Sequence, residues 1–234
     1  MLYNKHDIQR TVKTLGFLPF FKGEVEGFSI EEQITPDYWF RDEEGGYGVW
    51  DWKNDIIVDG DCAYGKLYRN KACFVSMEWY PDLANWRRSQ HQPSADEQLI
   101  LNTIQEHGSL LSREVKKLCG YNAARRRLSS NPLERLAAKE LPKPKAERKG
   151  FDSAITRLQM SCRLLTADFE YNLDRQGNRY GWSIARYCTP EDYFGTARMM
   201  TGRTPEESRQ RLTAHLTAVL PQASPKQIAR IIDQ

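Results

Sequence analysis

Between Ser94 and Tyr187 the chain carries three helical segments and then a two-stranded hairpin, and that order constrains the fold more than any single motif does. Ser94-Ala95-Asp96-Glu97 is a capping box: the serine accepts an early backbone N–H and the glutamate reaches back. The helix it opens turns Leu99, Ile100 and Ile104 inward and stops at Gly108. After Leu110-Leu111, Ser112 is expected to cap a second helix that buries Val115 and Leu118 and ends at Gly120. Asp152 is expected to cap a third, with Ile155, Leu158 and Cys162 as its inner stripe. Leu164–Leu173 and Arg179–Tyr187 read as strands joined by a turn at Asp174-Arg175-Gln176-Gly177-Asn178. This is the element order of a winged helix, in which the third helix is offered to the major groove and the hairpin is the wing.

On that reading the outer face of the third helix shows Ser153, Thr156, Arg157, Gln159 and Arg163, groups able to meet base edges and phosphates. The same residues also fit a plain exposed face. Arg175 and Arg179 flank the wing tip. About 30 residues separate the second and third helices, where a few would suffice. This insertion, 121–150, includes Arg125, Arg126, Arg127, Lys139, Lys143, Lys145, Arg148 and Lys149. Asn131-Pro132 is expected to start a helix running to Leu141, with Pro142 and Pro144 beyond it. The rest is composed like a flexible basic arm, suited to phosphate contact or to simple solvation.

The formal net charge of +3 conceals this arm. Residues 1–61 hold 6 Lys/Arg against 13 Asp/Glu, whereas residues 113–149 hold 12 against 4. The acidic front should resist wrapping onto DNA, which confines contact to the arm, the third helix and the wing.

Residues 1–92 read as an aromatic-rich α+β unit built on a small antiparallel sheet, with five of the six tryptophans between Trp39 and Trp86. Asp7–Leu15 reads as a helix stopped by Gly16, and Phe17-Leu18-Pro19-Phe20-Phe21 as an apolar run broken by proline. Val49-Trp50-Asp51-Trp52-Lys53 alternates like a strand. Cys62–Tyr68 and Lys71–Met77 are two strands at hairpin spacing around Arg69-Asn70. The rings read mainly as core. Trp50, Trp52, Lys53, Tyr64, Lys66 and Lys71 nevertheless interleave aromatic and basic groups, a combination that can stack a base and hold its phosphate. The winged-helix domain is expected at 93–188. Residues 189–234 form a helical extension, because Thr189-Pro190, Thr204-Pro205 and Ser224-Pro225 each place a capping hydroxyl before a proline at the first helical position. This tail is expected to pack on the wing side.

Phosphate-binding loops, dinucleotide fingerprints and nucleophile elbows are missing from the sequence, so no cofactor is expected. Four isolated histidines and five scattered cysteines argue against a metal site and for reduced, buried thiols. Neither an apolar leader nor an 18-residue apolar run is present, which points to a cytoplasmic, nucleoid-associated protein. Oligomeric state is not legible.

Thr156-Arg157-Leu158-Gln159-Met160, Asp168-Phe169-Glu170-Tyr171 and Tyr180-Gly181-Trp182 resemble the AlkZ-related bacterial proteins. So do Gly16-Phe17-Leu18-Pro19-Phe20-Phe21 and Ala63-Tyr64-Gly65-Lys66 near the front. Those proteins are similar to the AlkZ/YcaQ winged-helix DNA glycosylases, which excise alkylated bases or unhook crosslinks. Their glutamine–hydrophobic–glutamine or glutamine–hydrophobic–aspartate motif holds the attacking water. The resemblance implies that Gln159 matches the first position and Met160 the second. Ser161 stands where Gln or Asp is expected, and a hydroxyl is a poor base. The resemblance therefore implies association with double-stranded DNA more strongly than catalysis. Two readings follow. One is a DNA-binding protein of base-excision type, active on alkylated DNA or inactive. The alternative is a non-enzymatic transcriptional regulator or protein-interaction adaptor whose N-terminal domain senses a ligand.

Overall fold

The computed structural model describes residues 1–40, 46–122 and 148–233. Expectations for Arg125, Arg126, Arg127, Lys143, Lys145 and a helix at 131–141 lie outside the described residues.

The chain opens with α1 (Lys5–Leu15), capped by Asn4, whose side chain accepts from the Asp7 N–H. Three strands make the first sheet: β1 (Phe17–Pro19), β2 (Cys62–Tyr68) and β3 (Lys71–Ser76), antiparallel in the order β1-β3-β2. Pro19 does not break the apolar run. It sits on an edge strand, where a missing N–H costs no ladder bond. Arg69 and Asn70 both have positive φ (50° and 59°), as a two-residue hairpin with the strands' own twist requires.

One element corrects the sequence reading. Val49–Lys53 is not a strand but the first half of α3 (Val49–Asp59). Over five residues the alternation looked two-fold. Extended to Ile57, the buried set is Val49, Trp52, Lys53, Ile56 and Ile57, a helical stripe. Two short helical segments precede it, α2 (Ile30–Gln33) and a 3-10 turn at Pro36–Trp39, and α4 (Tyr80–Gln90) follows the hairpin.

The second half runs α5 (Ala95–His107), β4 (Ser109–Leu111), α6 (Ser112–Leu118), α7 (Phe151–Met160), β5 (Leu165–Leu173) and β6 (Arg179–Cys188). The capping box at Ser94 and Glu97 is present. Ser112 and Asp152 are not caps. β4 leads directly into α6, so Leu111 holds the cap position and its N–H donates to the Glu114 carboxylate at 2.8 Å. Gly150, left-handed at φ 82°, precedes α7, which leaves Asp152 exposed and paired with Lys116. The second sheet is antiparallel with order β4-β6-β5. The short β4 was not legible as a strand.

The tail forms α8 (Pro190–Phe194), α9 (Thr196–Met199), α10 (Pro205–Val219) and α11 (Pro225–Ile232). All three proline-marked starts open helices whose hydroxyl caps accept a backbone N–H. The tail packs mainly on α4 and meets only the base of the wing, at Leu165 and Cys188. α10 lies along α4, where the buried Asp82 carboxylate accepts from Arg203, Arg211 and Ser208. Burial opposes ionisation of Asp82, but these three donors outweigh it and hold its pKa below the usual range. One apolar cluster therefore crosses all three segments, joining Phe17, Leu67, Tyr80 and Leu83 to Cys162, Leu165 and Cys188 and to Leu212, Leu216 and Ile231. A second fills the front sheet and α3, and a third fills α5 to α7. No helix among the described residues is long and apolar enough to cross a membrane.

Candidate functional site

α7 is docked on the first sheet through Thr156 and Gln159. Gln159, expected on its outer face, is 2 % exposed. Its Oε1 accepts the Lys66 backbone N–H at 2.7 Å. That approach needs Gly65: a Cβ there would lie 2.8 Å from Oε1. Lys66 Nζ donates to Thr156 Oγ1 at 3.0 Å, closing a second bond between β2 and α7. Gly65→Ala should therefore push Gln159 off the strand and cost about 1–2 kcal/mol through the lost bond and the unpaired Lys66 N–H. Urea unfolding measures this, and an unchanged midpoint would show that the strand does not hold Gln159.

Because Oε1 is taken by an N–H, the Gln159 amide nitrogen is the end that faces outward. It has no partner among the described residues. It opens into a cleft of about 500 Å³ between the two sheets. Phe21, Tyr64, Phe169 and Tyr187 supply rings to its wall, and Lys66, Lys71 and Asn70 supply polar and cationic groups. The lining includes no carboxylate. Burial among Phe20, Phe74 and Phe169 pushes the Tyr64 phenol well up, so it stays protonated as a donor.

The other expected site residues are distributed as follows. Ser161 is buried, donates to the Leu158 carbonyl and lines a different cleft, beside Arg87 and Arg157, so it does not meet Gln159. Arg163 is not on an outer face. It donates to the Arg88 and His91 carbonyls and ties the end of α7 to α4. Arg157 is half exposed and donates to Glu97, itself 1 % exposed. Arg148 pairs with Asp96. Lys149 and Ser153 are exposed. Trp52 turns into the front core, whereas Trp50 and Lys53 border a smaller pocket, of about 190 Å³, next to the cleft. Phe169 is the wall shared by the two.

The wing strands line both pockets, through Ala185 and Tyr187 in the cleft and Tyr171, Arg179 and Ser183 in the smaller one. Arg175 and Arg179 are exposed on it, and Arg179 lies 4.9 Å over the Tyr171 ring. The β5–β6 register slips between Glu170↔Ile184 and Asn172↔Tyr180. Gly181, at φ 71°, lies in this bulge, and the next residue, Trp182, is 75 % exposed. Leu173 and Tyr180 are also exposed beside it. Phe169 and Tyr187 were not marked as site residues, because nothing local distinguishes a strand aromatic facing a cleft from one facing core.

Cys62, Cys73, Cys119, Cys162 and Cys188 are free and buried. Burial pushes the Cys73 and Cys188 thiols up to about 12, which leaves them inert as nucleophiles. Among the described residues no group of three His, Cys, Asp or Glu could hold a metal ion.

Fold and site together define a mixed α+β protein with an aromatic and cationic cleft between two small antiparallel sheets. The family model for AlkZ-related proteins matches residues 2–233, and the chain belongs to that family. No curated protein and no solved structure matches it.

Proposed function

We propose that this protein binds duplex DNA through its wing and basic arm and receives an unstacked base in the cleft at Gln159. The observation that carries this reading is the cleft's composition. It offers four rings for stacking, the free Gln159 amide for a base edge, and Lys66 and Lys71 for phosphate, with the exposed arginines of the wing alongside. Family membership supports a DNA glycosylase-like role. The order α5-β4-α6-α7-β5-β6 supports the winged-helix reading of residues 93–188. DNA contact shifts, however, from the third helix to the wing. A helix whose Thr156 and Gln159 are bonded to a strand cannot enter a major groove without leaving it.

The same lining favours recognition over hydrolysis. Gln159 offers the cleft a donor, Ser161 lies elsewhere, and no carboxylate is there to take a proton from water. The test is a salt titration of fluorescent duplexes with and without an alkylpurine, followed by hot alkali. Binding should weaken steeply with salt, and Arg125, Arg126 and Arg127 changed together to Ala should flatten the slope by about 2–3 units. Gln159→Ala should erase preference for the alkylated duplex while leaving the slope in place. Absence of binding at low salt would overturn the reading. Alkali-labile sites that vanish in Gln159→Ala would replace recognition by catalysis.

A further inference from the structure

Lys53 is a buried lysine on the wall of a pocket. It lies in the buried stripe of α3 and is 2 % exposed as a residue. Its Nζ sits 3.6 Å from the Phe169 ring centroid and 4.5 Å from that of Trp50. Among the described residues no carboxylate pairs with it and no acceptor bonds it. Buried lysines in folded proteins ordinarily have such partners. The amine instead borders the smaller pocket, whose lining also includes Asp51, Asp55 and Asn54 from α3 and Tyr171, Arg179 and Ser183 from the wing. Asp55 pairs outward with Lys5. Phe169, which closes one side of this pocket, has its N–H fixed to Asn54 Oδ1 at 3.0 Å, so the wall over Lys53 is held in place.

We propose that Lys53 is an imine-forming amine that captures the aldehyde of an open-chain deoxyribose, the sugar left in DNA where a base has been lost. This rests on the reading of the protein as a duplex-binding one. In the step, the neutral amine's lone pair attacks the aldehyde carbon and a C–N bond forms. The nitrogen passes a proton to the former carbonyl oxygen. The nitrogen's second proton reaches the resulting hydroxyl through a carboxylate relay, and the oxygen then leaves as water as the C=N bond forms. One water is released and no oxidant or reductant is consumed. Asp51, whose charge acts on Lys53, is the carboxylate at hand to relay the proton, and Arg179 is the cation at hand for a flanking phosphate. A pocket of about 190 Å³ suits a sugar better than a base, and the base-sized cleft borders the same Phe169. Burial lowers the Lys53 pKa to about 8 against the pull of Asp51. At pH 8 about half of it is therefore neutral, roughly a hundredfold more than an ordinary lysine at that pH. The reaction class that supplies the substrate is N-glycosidic bond cleavage, carried out by another enzyme.

The test is borohydride trapping on the full chain at pH 8, with an abasic-site duplex in one arm and 2-deoxyribose 5-phosphate in the other. Duplex binding is followed by anisotropy in the same samples. The expected result is a reduced adduct in both arms, mapped to Lys53 by peptide mass and at least tenfold weaker in both Lys53→Arg and Lys53→Met. Far-ultraviolet circular dichroism checks that the variants are folded. Adducts at other lysines with undiminished yield in both variants, or no adduct with either aldehyde, would overturn the proposal. A Lys53 adduct with the free sugar but no duplex binding would uphold the amine's chemistry and overturn the DNA reading on which its substrate rests.

Discussion

Arg87→Ala should cost about 3–5 kcal/mol, because four carbonyls lose a charged donor at roughly 1 kcal/mol or more each. In a chain of this size that lowers the melting temperature by roughly 6–20 °C. Arg87 is 3 % exposed. Its Nε donates to the Ile232 carbonyl at 3.0 Å and its Nη2 to the Ile231 carbonyl at 2.8 Å. Its Nη1 donates to the carbonyls of Leu67 at 2.8 Å and Met160 at 2.9 Å. These acceptors belong to the last turn of α11, the end of β2 and the last residue of α7. Carbonyls at helix ends have no partner within their helix and carry the negative end of the dipole. One guanidinium thus satisfies three separate chain ends, one from each segment of the protein. Arg87→Lys should recover less than half of the loss, because a compact ammonium cannot reach four acceptors in a fork. Thermal unfolding followed by circular dichroism decides the matter. A loss below about 1 kcal/mol would show that water replaces the clamp.

Lys53→Met should do the opposite and stabilise the protein at pH 7, by on the order of 1–3 kcal/mol. The pKa of Lys53 is about 8 in the folded chain, against about 10.4 in an unfolded one. Below pH 8 the amine is charged in both states, and only the folded state bears the cost of burying it. The attraction of the Trp50 and Phe169 rings offsets part of that cost. Between pH 8 and about 10.4 the folded state loses the proton first, and the penalty fades. Above that range both states are neutral, so the advantage of methionine should vanish. Urea midpoints at pH 7, 9 and 10.5 test the sign and the window together. A variant less stable than the parent at pH 7 would mean that the lysine is net stabilising where it lies. A stability cost retained at this one position fits a side chain kept for its reactivity.

The two effects differ in how they could be foreseen. Arg87 and Arg88 stand side by side in the sequence and look alike. Only Arg87 is buried among carbonyls, while Arg88 pairs with Glu191 and bonds the Cys162 carbonyl. Lys53 was legible as a basic residue among rings, but in a strand. Its burial became evident only when the stripe was followed to Ile57 as a helix. Gln159 was found through its place in a short motif, while its strand partner Lys66 was marked separately as a pocket residue.

By itself the sequence determined the local skeleton: the capping box at Ser94, the hydroxyl–proline helix starts of the tail, the Arg69-Asn70 and Asp174–Asn178 turns, and the apolar stripes of α5, α7 and α11. These rest on bonds and contacts within a few residues, so neighbouring side chains suffice to specify them. Only the tertiary structure decided that α7 lies against β2, that Gln159 faces a cleft through its amide nitrogen, and that the tail closes on α4. The bonds responsible join residues far apart, 93 positions between Lys66 and Gln159 and 145 between Arg87 and Ile232. A polar side chain carries no local mark of which distant group will desolvate it. That choice is made when the apolar stripes pack, and the polar groups between them take the partners the packing leaves within reach.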